Sequence, residues 1–337
     1  MTSYSAQAGM EQVALKWALE LYGISAKLSK LTGYDDTNFL LKSGKVGKYV
    51  LKVSDDKSSI ETLHGQNHML RFLQEHSKES KAFPTVIAGC DGSYLYQVSI
   101  GNQAYWLRIL TYLEGTLLHQ VTPSSKLYED LGRFLGAMNQ CLWSFDLPDL
   151  HLRKSPWDLK YAAKCMVYCQ EIDDPHYRRL VGYFLQQYEN QVVPHYADLP
   201  QGLIHGDAND YNILVSGDQV TGLIDFGDAT YSQLIHELAV AITYVMMSDK
   251  DPLRAASRVI KGYHKERPLT SLEIEVLYYL VAARLCTSLC ISTHSQKEEP
   301  FNEYLGLHQK PVKRLLDWLI SIDPKGFEQQ LKRTCSI

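Results

Sequence analysis

Apolar residues recur along this chain with two periods, and the change from one to the other falls near residue 110. The opening stretch is helical: Val13, Ala14, Trp17, Ala18 and Leu21 share one face, and Gly23 follows as a C-cap. Alternation then takes over. Phe39 and Leu41 alternate with polar neighbours, Ser43-Gly-Lys-Val-Gly47 reads as a turn, and Tyr49, Leu51 and Val53 form the return strand. Leu63, Leu70 and Leu73 predict a helix over 58–77, and Gly101-Asn102 is a two-residue hairpin signal between strands at 94–100 and 103–110. Past Thr111-Tyr-Leu-Glu-Gly115 the helical period dominates. Leu127, Leu131, Phe134, Leu135, Met138 and Leu142 form one stripe behind the start signal Thr122-Pro123. More helices are predicted near 157–170, 175–194, 231–248, 251–264, 270–293 and 302–321, interrupted by short strands at 203–204, 213–215 and 220–224. The plan is α+β and bilobal: a β-rich lobe over 1–110, a hinge over 111–115 and a helical lobe over 116–337, with a nucleotide-sized cleft expected between lobes.

Chemistry concentrates where the helices are interrupted. His205-Gly-Asp-Ala-Asn-Asp-Tyr-Asn212 lies between two apolar runs, and Leu223-Ile-Asp-Phe-Gly-Asp228 follows closely. Asp207, Asn212 and Asp225 thereby fall on loops at strand ends, at the spacing a phosphoryl-transfer site needs. One Asp can orient a substrate hydroxyl as catalytic base; that role goes to Asp207. Asn212 and Asp225 supply hard oxygen donors for Mg2+ against nucleotide phosphates. His205 is expected to brace the loop. A cation near the α- and β-phosphates is also required, and Lys52 in Tyr49-Val-Leu-Lys-Val53 fits, because alternation turns it away from Leu51 and Val53. Its carboxylate partner is not evident. The following helix offers Glu61, while Gln66 and His68 stand where a partner is first sought.

Composition narrows the partners. The 337 residues suffice for two cores, and a net charge of −4 gives no electrostatic case for nucleic acid or an anionic membrane. The polar start lacks the signature of a signal peptide, and no apolar run reaches the ~20 residues of a membrane span. Seven scattered cysteines suit a reducing cytoplasm; the pairs Cys165/Cys169 and Cys286/Cys290 read as small core residues, not metal ligands.

The motifs together resemble the aminoglycoside phosphotransferase and choline kinase superfamily, nearest its hydroxylysine kinase branch. Gly33-Tyr-Asp-Asp-Thr-Asn-Phe39, Leu107-Arg-Ile-Leu-Thr-Tyr-Leu-Glu-Gly115, Ile204–Val215 and Gly222–Asp228 carry the likeness, with weaker echoes at 237–242 and 280–288. The resemblance implies a protein-kinase-like fold with an antiparallel N-terminal sheet, and a small-molecule kinase using Mg2+ with ATP or GTP. Where a protein kinase has a glycine-rich loop this chain has Gly33 and polar residues, so Thr37, Asn38 and backbone N–H groups would meet phosphate. Leu110, Thr111, Tyr112 and Leu113 would read the purine through their main chain. The branch implies 5-hydroxylysine as acceptor, with a hydroxyl, two ammonium groups and a carboxylate. Asp210, Asp228 and Glu237 are candidates for the ammonium groups, Arg284 for the carboxylate or for a salt bridge to another helix, and Trp157 and Asp158 for the pocket wall. Choline, ethanolamine, homoserine and aminoglycosides are the alternative acceptors. Outside the enzymes, the missing partner of Lys52 is the one feature that favours a non-catalytic nucleotide-binding regulatory module.

Overall fold

A computed structural model describes residues 2–31, 36–44, 47–55, 59–299, 306 and 308–337. The chain forms two compact units, Met1–Glu114 and Gly115–Ile337. Gly33, Tyr34 and Asp35 of the polar loop, and the start of the helix expected from residue 302, lie outside the described residues.

The first unit begins with helix α1 (Thr2–Tyr22), followed by strands β1 (Lys27–Leu31), β2 (Thr37–Ser43) and β3 (Gly47–Asp55), helix α2 (Ile60–His76), and strands β4 (Val86–Ile87), β5 (Tyr96–Ile100) and β6 (Gln103–Thr111). The described strands form an antiparallel sheet in the order β1-β2-β3-β6-β4, with β5 also on β6. Alternation sorts its faces. Phe39, Leu41, Leu51, Val53, Leu107 and Ile109 pack with Ala14, Trp17 and Ala18 of α1. Each of the larger side chains contributes roughly 1.5–3 kcal/mol by leaving water, which anchors the sheet on α1 and leaves the opposite face to carry charge. β1 and β4 went unread in the sequence because Lys27–Leu31 is mostly polar and Val86–Ile87 too short to alternate.

The second unit opens with β7 (Thr116–Leu117), then α3 (Ser125–Leu142), α4 (Pro148–His151), a 3-10 helix over Leu159–Glu171 and α5 (Pro175–Gln191). Strands β8 (Gln201–Ile204), β9 (Ile213–Ser216), β10 (Gln219–Leu223) and β11 (Thr230–Gln233) precede helices α6 (Ile235–Ser248), α7 (Pro252–Glu266), α8 (Ser271–Glu298), α9 (Gln309–Ser321) and α10 (Pro324–Cys335). Residues 231–233, expected to begin a helix, instead pair with β8; that bond set is with a segment some thirty residues away and leaves no local period. Cys165, Cys169, Cys286 and Cys290 are buried where the 3-10 helix meets α8. The expectation that no segment is apolar enough to span a membrane is corrected by α8: an 18-residue window has mean hydropathy 1.6, and 89% of it is buried inside the protein. Helices α3 and α7 touch backbone to backbone. A methyl group at Gly132 would overlap the carbonyl of Val259, and one at Gly262 that of Glu129.

Candidate active site

On the first unit, register builds the site. Asn38 of β2 stands opposite Lys52 of β3, and Lys52 opposite Arg108 of β6, so three polar side chains form a row across the face turned from α1. Lys52 is 5% exposed and Arg108 2%. Buried cations require partners. Lys52 Nζ lies 3.2 Å from Asp36 Oδ2, and Arg108 donates to Asn67 Oδ1 at 2.9 Å and Gln66 Oε1 at 2.5 Å, both on α2. Asp36 is thus a carboxylate partner of Lys52; Glu61 is exposed at the start of α2 and accepts from the Ser59 hydroxyl. Burial alone would raise the Asp36 carboxyl, but Lys52, Arg108 and the Ser54 hydroxyl hold it below the usual range. Arg108 was quoted in the sequence without a role; the signal that marks it is its place opposite Lys52. Thr37 and Asn38 sit at the head of β2, and Asn38 Oδ1 is buried without a hydrogen bond.

In the segment proposed as hinge, the Thr111 N–H donates to Thr85 O at 2.9 Å and the Tyr112 N–H to Lys48 O at 3.1 Å. Those two donors are spent within the unit, so as purine readers Thr111 and Tyr112 are limited to their carbonyls. Leu110 is in β6 and 9% exposed, with Leu113 beyond the strand end.

On the second unit, the loop after β8 carries Asp207, the residue expected to act as base, and is fixed by its own turn and by bonds to its side chains. Gly206 has φ +79°, and a Cβ there would lie 2.8 Å from Asp228 O, so the turn into Asp207 admits only glycine without strain. His205 braces it from three directions. Its N–H donates to Glu237 Oε2 at 2.5 Å, its Nδ1 accepts from the Asp207 N–H at 3.2 Å, and its Nε2 is 3.0 Å from Ile224 O. These bonds assign the ring as the Nε2–H tautomer. Asp207 Oδ2 accepts from Asn209 Nδ2 at 2.8 Å and Asn212 Nδ2 at 2.9 Å, while Oδ1 accepts from Arg284 Nη2 at 2.6 Å. Burial pushes the Asp207 carboxyl up to about 7 against the pull of Arg284, with Asp228 and Asp225 adding to the rise.

Asn212 and Asp225 are brought together by the β9–β10 hairpin, closed by the Ile224 N–H donating to Asn212 O at 2.9 Å. Because the Asn212 amide nitrogen is committed to Asp207, its remaining donor is the carbonyl oxygen. Asp225 is exposed with φ 61°, a left-handed conformation uncommon for Asp, and its Oδ1 accepts from the Gly227 N–H. A neutral amide oxygen and an exposed carboxylate fit Mg2+, which takes one or two protein ligands plus phosphate and water.

The acceptor candidates divide. Glu237 is fully buried and bonded to the His205 N–H, so it holds the loop and is closed to a substrate; burial raises its carboxyl to about 7. Arg284 is 2% exposed and occupied by Asp207, which likewise closes it to an acceptor carboxylate. Asp228 accepts from the Ser155 hydroxyl at 2.9 Å and lies 3.6 Å from Arg153. Asp210 is half-buried, its Oδ1 without a hydrogen bond, and burial raises it to about 6. Trp157 is half-buried, with the Arg284 guanidinium 4.9 Å from its ring centre.

Comparison with known proteins agrees with this geometry. The family model described as "Phosphotransferase enzyme family" (APH) matches residues 28–269. Hydroxylysine kinase of Danio rerio is 30% identical over 323 residues, covering 92% of this chain and 91% of that protein. A homoserine kinase of Rhizobium rhizogenes is 26% identical over 276 residues, covering 78% and 79%. Among solved structures, amicoumacin kinase hAmiN in complex with AMP-PNP, Ca2+ and Ami aligns with a TM-score of 0.75 at 16% identity, over 97% of this chain and 99% of that one. The microcompartment-associated aminopropanol kinase aligns at 0.73 with 19% identity, over 92% and 97%. At such identities the structures speak for the kinase-like fold, and the family match speaks for the chemistry: this chain is a small-molecule phosphotransferase of the APH family.

Proposed function

We propose that the enzyme transfers the γ-phosphoryl group of ATP or GTP to a hydroxyl of an amino-bearing metabolite, with 5-hydroxylysine the leading acceptor. The observation that carries the reaction is the Asp207 carboxylate, oriented by three side-chain donors on a loop whose next turn presents the Asn212 oxygen beside the Asp225 strand end. Asp207 orients the acceptor hydroxyl and takes its proton as the oxygen bonds to the γ-phosphorus and the bond to the departing nucleoside diphosphate breaks. A carboxylate raised toward neutrality suits that task. Asn212 and Asp225 would hold Mg2+, which when bound neutralises charge on the phosphates. Lys52, held by Asp36 and flanked by Asn38 and Arg108, would meet phosphate oxygens, with Thr37 beside them. The purine would be read by Leu113 and by the carbonyls of Leu110, Thr111 and Tyr112.

For the acceptor, Asp210 is the leading carboxylate to receive an ammonium group: it follows the base by three residues, its Oδ1 has no hydrogen bond, and the next residue, Tyr211, stacks on His119 with His308 tilted against it. Asp228 is the second candidate, with Trp157 as pocket wall. The similarity to hydroxylysine kinases supports hydroxylysine; AMP-PNP with Ca2+ in the amicoumacin kinase supports an adenine nucleotide carried with a divalent cation, with GTP the alternative donor. Homoserine is the second reading, supported by the homoserine kinases among the relatives. Choline, ethanolamine and aminoglycosides complete the panel. The deciding experiment measures nucleoside diphosphate release with Mg2+ and ATP or GTP across these acceptors. Turnover with 5-hydroxylysine alone supports the reading, and turnover with another acceptor alone replaces the substrate while keeping the mechanism. No turnover with any acceptor, with nucleotide still bound, overturns the reading in favour of a binding module.

A further inference from the structure

Arg284 is among the largest of the described side chains that are almost wholly buried, and it is a cation in the middle of an apolar helix. A buried ion pair rarely stabilises more than well-packed apolar residues of the same volume, so its retention calls for another use. Its surroundings are specific. Nη2 donates to Asp207 Oδ1 at 2.6 Å and to the Tyr244 hydroxyl at 3.1 Å, and Nη1 donates to the main-chain oxygen of Trp157 at 3.3 Å. The guanidinium carbon lies 4.9 Å from the centre of the Trp157 ring and 5.5 Å from that of Tyr244. Four segments far apart in sequence therefore meet on one planar group: the 157 turn, the catalytic loop, α6 and α8.

We propose that Arg284 is a positioning residue for the catalytic base, setting the plane of the Asp207 carboxylate from the side opposite Asn209 and Asn212. The two asparagine amides hold Oδ2 and Arg284 holds Oδ1, so rotation of the carboxylate about its own bond breaks a bond at one end or the other. Planarity matters here. A guanidinium carried by stacked rings and a main-chain oxygen fixes a direction that a lysine ammonium, a point charge on a flexible stem, does not. Tyr244 then acts on the reaction through Arg284, and Trp157 does so besides its place as pocket wall.

The inference rests on the reading of Asp207 as base, and a double-substitution cycle tests it. Arg284→Met, Asp207→Asn and the double variant are compared in kcat, in KM for nucleotide and acceptor, and in Tm. Arg284→Met is expected to lower kcat about 100-fold, as loss of orientation at a base does, with both KM values within about threefold. Arg284→Lys should recover part of that loss and Tyr244→Phe should lose less than tenfold. In the Asp207→Asn background, Arg284→Met should cost almost nothing further, because residues acting as one unit are not additive. Additive losses, or a raised acceptor KM with kcat intact, would overturn the proposal. If Arg284→Met does not fold, the Lys and Phe variants carry the same cycle with Asp207→Asn. Should Asp207→Asn itself leave turnover unchanged, the assignment of the base fails, a result separate from additivity.

Discussion

Lys52 and Asp207 are both charged side chains that folding takes largely out of water, and the two units hold them by different means. Lys52 sits on a strand. Its neighbours Asn38 and Arg108 come from register across β2, β3 and β6, and its counter-ion, Asp36, lies sixteen residues earlier in the chain. Asp207 sits on a loop held by its own sequence: Asn209 and Asn212 bond to it from two and five residues away, and His205 holds its N–H. A strand site gets its precision from cross-strand packing, so it can tolerate loss of one partner while the sheet stays intact. A loop site has no strand ladder beneath it and depends on a few single bonds, from its own asparagines and His205 and from Arg284 and Glu237 on the helices behind it.

That contrast can be broken most forcefully at the base. Asp207→Asn should lower kcat by about a thousandfold or more, while nucleotide affinity measured by calorimetry stays within about twofold; retained turnover would remove the loop from the chemistry. Next is the brace. The folded Glu237 carboxyl is raised to about 7 from its ordinary 4.5, so the folded state keeps a proton that the unfolded chain has lost. Stability from this group is therefore greatest below the unfolded pKa and declines as pH rises from about 4.5 through 7. Glu237→Gln should abolish that decline, gaining up to about 3 kcal/mol over the wild type above pH 7 and nothing near pH 4.5. Parallel stability curves from pH 4.5 to 8 for the two proteins would contradict the raised value.

The strand site should respond less. Asp36→Asn is expected to raise the nucleotide KM by about tenfold, because Lys52 loses the group that orients it; an unchanged KM would return the question of its partner. Glu61→Gln should change nucleotide affinity by less than about twofold, since an exposed carboxylate paired with a serine two residues away has no hold on Lys52. A larger effect from Glu61 than from Asp36, in the same titration, would reverse the assignment.

The same contrast explains what could be read beforehand. Asp207, Asn212 and Asp225 stand within nineteen residues, so their spacing is visible in a linear string. The alternation of β2 and β3 gave the outward turn of Lys52 for the same local reason. Asp36, Arg108 and Gln66 are assembled by strand pairing and by a helix packed on the sheet, and no local period records which residue faces which. Arg284 was conspicuous as a charge in an apolar helix, but its partner lies 77 residues earlier. Glu237 misled because an acidic residue near a loop reads as a ligand, whereas its carboxylate is sealed beneath that loop. The strands β7 and β11 escaped because pairing, not side-chain pattern, defines segments of two and four residues.

The glycine seam between α3 and α7 has a mechanical consequence. Asp130, two residues before Gly132, accepts the Val220 N–H at 2.8 Å and so tethers α3 to the hairpin that presents Asn212 and Asp225. The seam thus acts as a spacer gauge for that hairpin: the thickness of two bare backbones sets where α3 rests, and α3 sets how the hairpin is seated. One added methyl group at Gly132 or Gly262, in a helix given no side chain in the proposed chemistry, would be transmitted as a displacement of the turn proposed to hold Mg2+. A substitution at either glycine is therefore expected to lower activity with every candidate site residue still in the sequence.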